Sequence, residues 1–360
     1  MINVNDWEAR RKRYEEYWNR KNRTPILHVT APADHKVEID PGVCRDRWYD
    51  REYHCRAARA SFMNSYFGGE AYPYYLPDLG FDVATSMLGV KIEINETSAW
   101  AVHMDKSLSE FTDFSFKPDN PDYLLQVEAL DYYVNDARNP ESKDGVDYIV
   151  GMVPFNTLYD GVASLIGPEN LCMELFDNPE EVHRVANAHF ELFKKVYSIF
   201  EKQTLQYQHG STNWLGVYSD VPWYYISNDF IVMISEEFFQ EFIMETLLKT
   251  VEFHPRTLFH LDGENAVRHL DAILTVDKLT GVQVQATPCR QSAEFWTPYL
   301  KKIQAAGKTA WIEARHFDDL KYLVEHLDPE GLFIKTWADT EAEAKRMERF
   351  VRDYYGTTGR

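Results

Sequence analysis

The segment Thr257-Leu-Phe-His260-Leu-Asp262-Gly263 sets an imidazole and a carboxylate two residues apart in a short apolar run closed by a glycine. If the run is a strand, alternation puts His260 and Asp262 on one face near its C-terminal end. Such a pair can bind a metal or share a proton, or it can shape the strand end through a His–Asp hydrogen bond. Cys289, Glu313 and His316 follow the next two apolar runs and complete the one cluster able to hold a transition metal. His260 and Asp262 with Cys289 or Glu313 would give zinc three protein ligands and leave a fourth position open. Cys289, next to Pro288, could equally be an inert loop thiol. Asp262 and Glu313 also read as a carboxylate pair of the kind used in glycoside hydrolysis. In a metabolite-binding protein the same groups would be hydrogen-bond partners.

Regular elements must carry these groups. Runs at 258–261, 281–285, 309–313 and 332–335 read as strands, separated by helical stretches at 264–274, 293–306 and 318–326. A last helix opens with the capping box Thr340-Glu-Ala-Glu343. Upstream, 25–30, 91–95, 148–154 and 212–218 read as strands, with 98–103 returning as a hairpin. Asn178 as cap, Pro179 and two glutamates predict a helix to about residue 202. Ser235 caps another, with Ile234 and Phe239 placed as a hydrophobic staple. Strands alternating with helices at this interval predict a parallel sheet and an α/β chain. The expected architecture is a (β/α)8 TIM barrel with an elaborated, partly helical N-terminal region. Residues 1–70 form a helical extension packed on the barrel and 71–360 form the barrel, in a single structural domain.

In that fold the active site lies at the C-terminal ends of the strands. Besides the cluster above, His28, Asn156, Asp160 and Tyr218 fall there, as do Gln285, Lys335 and Trp337. The aromatic, acidic loop 219–229, with Trp223 and Asp229, would overhang the same face.

Charge narrows the partners. Lys and Arg total 38 against 57 Asp and Glu, so the net charge of -19 repels phosphate backbones and argues against nucleic acid. No apolar run approaches the roughly 20 residues of a membrane span. The first residues lack the basic and apolar regions of an export signal, and the four cysteines are scattered, with no C-x-x-C. Both predict a cytoplasmic protein. An acidic, aromatic-rich surface allows a homodimer. Ala306-Gly307-Lys308-Thr309 mimics the tail of a P-loop, but Lys302 stands where the upstream glycine belongs. G-x-G-x-x-G, G-x-S-x-G and H-E-x-x-H do not occur, so dinucleotide, hydrolase-elbow and zincin readings lack support.

Several segments carry a family resemblance: Pro77-Asp-Leu-Gly80, Met87-Leu-Gly89 and Leu175-Phe-Asp-Asn-Pro-Glu-Glu-Val182. More specific is the run from Asp229 through Ile234-Ser235-Glu-Glu-Phe238 to Phe242, followed by Phe259-His260-Leu-Asp262-Gly263. Over residues 75–350 the chain resembles the uroporphyrinogen decarboxylase superfamily, which includes corrinoid-dependent methyltransferases. The resemblance implies a (β/α)8 barrel. It also implies methyl transfer from a small methylated ether or amine to a separate corrinoid protein, since the chain has no D-x-H-x-x-G cobalamin motif. The methyltransferase branch binds zinc through a His-x-Cys at this strand and a later Cys. Here His260 matches, Asp262 replaces the first Cys, and 333–339 holds none. The implied site is harder, built from His260, Asp262 and Cys289 or Glu313, with zinc as Lewis acid on the leaving atom. His260, Asp262 and Asp229 would be catalytic. Tyr218, Trp223, Asn156, Asp160, His28 and Trp337 would hold the substrate. The decarboxylase branch grips its polycarboxylate with an Arg-rich N-terminal loop, and residues 26–35 contain no Arg. A decarboxylase or lyase acting on a smaller substrate is the alternative, and a barrel glycoside hydrolase using Asp262 and Glu313 is another.

Overall fold

The computed structural model describes residues 1–2, 4–46, 48–77, 83–96, 99–143, 145–286 and 292–358. Their strands are β1 (Ile26–Pro32), β2 (Ser65–Gly69), β3 (Tyr74–Tyr75), β4 (Lys91–Ile94), β5 (Ala99–Val102) and β6 (Ile149–Val150), then β7 (Trp223–Ile226), β8 (Arg256–Asp262), β9 (Gly281–Gln285), β10 (Thr309–Glu313) and β11 (Leu332–Trp337). Seven make one sheet in the order β2-β1-β11-β10-β9-β8-β7. Every pairing from β1 to β7 is parallel, and β2 runs antiparallel along the β1 edge. Leu258, Phe259, Val282, Val284, Ile312 and Ile334 are buried, as strands covered on both faces require.

Register turns alternation into rows. His260 pairs with Gln283, Gln283 with Trp311, Trp311 with Phe333 and Phe333 with Ile26. Two residues further along each strand, Asp262, Gln285, Glu313, Lys335 and His28 form a second row on the same face. Gly281 allows β9 to sit against β10. A Cβ there would lie 2.0 Å from Thr309 Oγ1 and 2.4 Å from the Thr309 carbonyl oxygen. Gly281→Ala should therefore cost about 1–3 kcal/mol through overpacking, read as a lowered urea midpoint with unchanged m-value.

The sheet is not closed. β3 and β6 pair with each other in a separate parallel ladder, and β4 with β5 in an antiparallel hairpin. The eight-stranded ring expected from the sequence is not formed by the described residues; the fold is mixed α/β with a mostly parallel central sheet. The main departure lies at 212–218, expected as a strand and found as a loop. Asn213 Oδ1 accepts the Leu215 N–H at 3.0 Å, and the Asn213 carbonyl accepts the Gly216 N–H at 2.9 Å. This local turn satisfies the backbone without a ladder, and Gly216 takes φ +75°. The ends of the loop meet in a bridge between Ser211 and Ser219. Side chains cross where ladders do not. The Gln208 amide both donates to and accepts from the Val150 backbone at 2.9 Å, and Trp311 Nε1 donates to the Leu215 carbonyl at 3.2 Å.

The helix Trp7–Trp18 packs at the N-terminal ends of the strands. Arg256, first residue of β8, grips both Glu15 oxygens at 2.7 Å, and Trp18 Nε1 donates to the Tyr218 carbonyl at 2.8 Å. The long helix Pro179–Thr204 begins where its Pro179, Glu180 and Glu181 predict. Asn178, expected to cap it, instead donates its amide to Glu174 at 2.8 Å. Ser235 does cap its helix, accepting the Phe238 N–H at 3.3 Å. No helix among the described residues is long and apolar enough to cross a membrane.

Candidate functional site

At the C-terminal end of β8, His260 and Asp262 share a face, as alternation requires. Asp229 joins them from the 3-10 turn Asp229–Met233 that follows β7. One ligand atom from each of the three lies within 4.8 Å of the other two. His260 Nδ1 is hydrogen-bonded to Gln283 Oε1. The Gln283 amide in turn donates to Gln285 Oε1 at 2.9 Å. With the Gln283 oxygen turned to the ring, the matching tautomer has Nδ1 protonated and the lone pair on Nε2. Asp262 feels opposing influences. Burial pushes its carboxyl pKa up, the neighbouring His260 pulls it down, and the Asp229 charge pushes it up again.

Asp160, in the first turn of the helix Leu158–Ile166, reaches the same turn from the other side. Its carboxylate accepts the backbone N–H of Asp229 at 2.8 Å and of Phe230 at 2.9 Å. Burial, then the Asp229 charge, pushes its pKa up to about 7 against the pull of those two amides. A carboxyl that holds its proton more tightly folded than unfolded makes stability fall as pH rises between the two pKa values. From about pH 4 to 7 Asp160 should contribute a negative slope of at most about 1.4 kcal/mol per pH unit. Asp160→Asn should flatten the urea midpoint against pH in that window. Equal slopes for both proteins would mean that Asp160 titrates as an ordinary carboxyl.

Two cavities open here. One of about 240 Å³ is lined by Leu76, Met152, Pro154, Trp214, Tyr225, Ser227 and His260. The other, about 370 Å³, has Asn156, Asp160 and Asp229 among its walls, with His103, Ser164 and Met233. Trp214 meets the His260 ring edge-on at 5.0 Å, and Tyr225 meets Trp214 at 5.6 Å and 83°.

The remaining candidates scatter. Tyr218 and Trp223, expected at the substrate, lie at the opposite end of the sheet. Trp223 starts β7, pairs with Arg256 and packs on Trp18 at 5.2 Å; Tyr218 donates to the His209 carbonyl and packs on Trp7 and Tyr14. Both belong to the seam with the N-terminal helix, because 212–218 curls back as a loop instead of running on as a strand. Glu313, proposed as a metal ligand, is kept from Asp262 by β9, a separation of about 9–10 Å at two strand spacings. It is not part of the cluster. Cys289 lies outside the described residues. His28 is buried in the second row without a partner for Nδ1 among the described residues. Burial, with Lys335 beside it, holds its pKa well below the usual imidazole range. Trp337 is 47% exposed at the end of β11, and His316 is exposed at the head of the helix Phe317–His326. Sequence reasoning missed Gln283 and Trp214, and did not single out Tyr225 and Ser227 within the loop expected at 219–229, of which Trp223–Ile226 is strand β7. The first had a signal: Gln283-x-Gln285 repeats the spacing of His260-x-Asp262 one strand away.

No family model matches the sequence, and no curated protein matches it. The fold is similar to that of a methyltransferase from Methanosarcina mazei. The match has a TM-score of 0.60 and covers 96% of this chain and 98% of that one. Sequence identity is 12%, so the likeness is one of fold.

Proposed function

We propose that the protein is a methyltransferase of the uroporphyrinogen decarboxylase superfamily. In this reading it moves a methyl group from a small methylated ether or amine to a separate corrinoid protein, and its architecture is an opened variant of the (β/α)8 barrel. The observation that carries the reading is the convergence of Asp229, His260 and Asp262 beside an aromatic cavity, in a chain whose fold is similar to a methyltransferase.

The donor set fits zinc. One imidazole nitrogen and two carboxylate oxygens balance a divalent charge, and Gln283 supplies the outer hydrogen bond that metal-ligating histidines usually have. Ligands about 2.0–2.2 Å from one ion lie at most about 4.4 Å apart, so the cluster need contract by only tenths of an ångström. Held by His260 Nε2, Asp229 and Asp262, zinc would supply Lewis-acid polarisation of the leaving oxygen or nitrogen. The protein's own contribution is positional. Gln283 fixes the His260 ring, Asp160 holds the backbone of the Asp229 turn, and Trp214, Tyr225 and Met152 exclude water from one side of the site.

Purified protein should contain close to one equivalent of metal. With cob(I)alamin as acceptor it should form methylcobalamin, seen by its absorbance change, from an aryl methyl ether or a methylamine, and chelation should abolish that change. Metal-free protein that forms no methylcobalamin from either class would sink the reading.

A further inference from the structure

The cavity beside His260 has more specific chemistry than methyl transfer alone demands. Trp214 and Tyr225 stand at 83° to one another and form an aromatic corner, and Met152 and Pro154 add apolar wall. Among its described lining residues there is no lysine or arginine. Lys335, the cation of the neighbouring row, directs Nζ to the Trp214 carbonyl at 3.3 Å and the Tyr74 hydroxyl at 3.5 Å. Two carboxylates, Asp229 and Asp262, have oxygens within 4.8 Å of a His260 ring nitrogen. Aromatic faces at right angles, apolar walls and adjacent negative charge are what a cation clothed in methyl groups needs. Such a group has few or no N–H donors, so it asks little hydrogen bonding of the walls. A neutral aryl ether would gain nothing from the two carboxylates, and a bare ammonium would lose its hydration against described walls whose hydroxyls are those of Ser227 and Tyr225.

We propose that this cavity recognises a methylated ammonium group, so that the substrate class is a quaternary or tertiary methylamine rather than an ether. The proposal rests on the methyltransferase reading for its meaning but not for its test. A methylated ammonium has no lone pair to give zinc and departs as a neutral amine, so with this substrate zinc would balance the two carboxylates without polarising the nitrogen, and the aromatic corner acts on the cation with or without the ion.

The test is titration calorimetry of the full-length protein with choline and with 3,3-dimethylbutan-1-ol, its neutral carbon isostere, before and after EDTA. Choline should bind at least about tenfold more tightly, and more tightly still after EDTA. Trp214→Leu and Asp229→Asn should each reduce the preference to about threefold or less. Asp229 is exposed, so its variant serves if the Trp214 variant fails to fold. Equal affinity for the two probes, or no binding of either, overturns the proposal. Choline binding in a protein that carries no metal and transfers no methyl group would sink the function and leave this site standing. Methyl transfer from an ether without any preference for choline would do the reverse.

Discussion

His260→Ala should leave a folded protein with methyl transfer reduced by at least about 10²–10³-fold, the range for losing one preorganised partner of the reacting centre. Metal content should fall with it. His260 is the sole nitrogen donor of the cluster, and without it two carboxylates remain to hold a divalent ion. The effect should be graded outward along the hydrogen-bond chain. Gln283→Leu keeps all three ligands but frees the His260 ring, so it should weaken metal binding by about 10–100-fold. Metal titration followed by methylcobalamin formation separates the two variants. A His260→Ala protein that retains metal and full activity would remove the triad from the chemistry.

Trp223→Ala should behave in the opposite way, with a large loss of stability and an unchanged KM. The indole is 1% exposed and packs on Trp18 in the seam between β7 and the N-terminal helix. Truncating a fully buried tryptophan removes its transfer energy and leaves a cavity, together about 3–5 kcal/mol. Urea denaturation should show that loss. Steady-state kinetics under native conditions should show substrate affinity intact, because the ring lies at the far end of the strands from His260. A raised KM at full stability would return Trp223 to the substrate site.

The contrast between Trp223 and Trp214 shows where local reading ends. Trp214 falls in a run that reads as a strand and Trp223 in one that reads as a loop, and nothing within either segment says which end of the sheet it faces. Trp214 reaches the site because Asn213 and Gly216 turn the chain at 212–218, and a seven-residue segment that also reads as a strand does not reveal that competition between turn and ladder. The same turn keeps 212–218 out of the sheet, which ends on that side at β7. Asp229 is legible as part of the acidic loop 219–229 expected over that face, and through the family resemblance. Its distance from His260 is set by the turn after β7 and by an Asp160 carboxylate 69 residues away.

By itself the sequence determines the β–α alternation, the parallel strands from β8 to β11, and the shared face of His260 and Asp262. Those features follow from spacings of two and of three to four residues along one chain, which the backbone geometry of strands and helices imposes wherever the segment sits. The tertiary structure alone decides how closely a second carboxylate meets that pair, which aromatic rings wall it, and that the sheet stays open. Those outcomes depend on segments far apart in sequence competing for the same space, and no local periodicity records the winner.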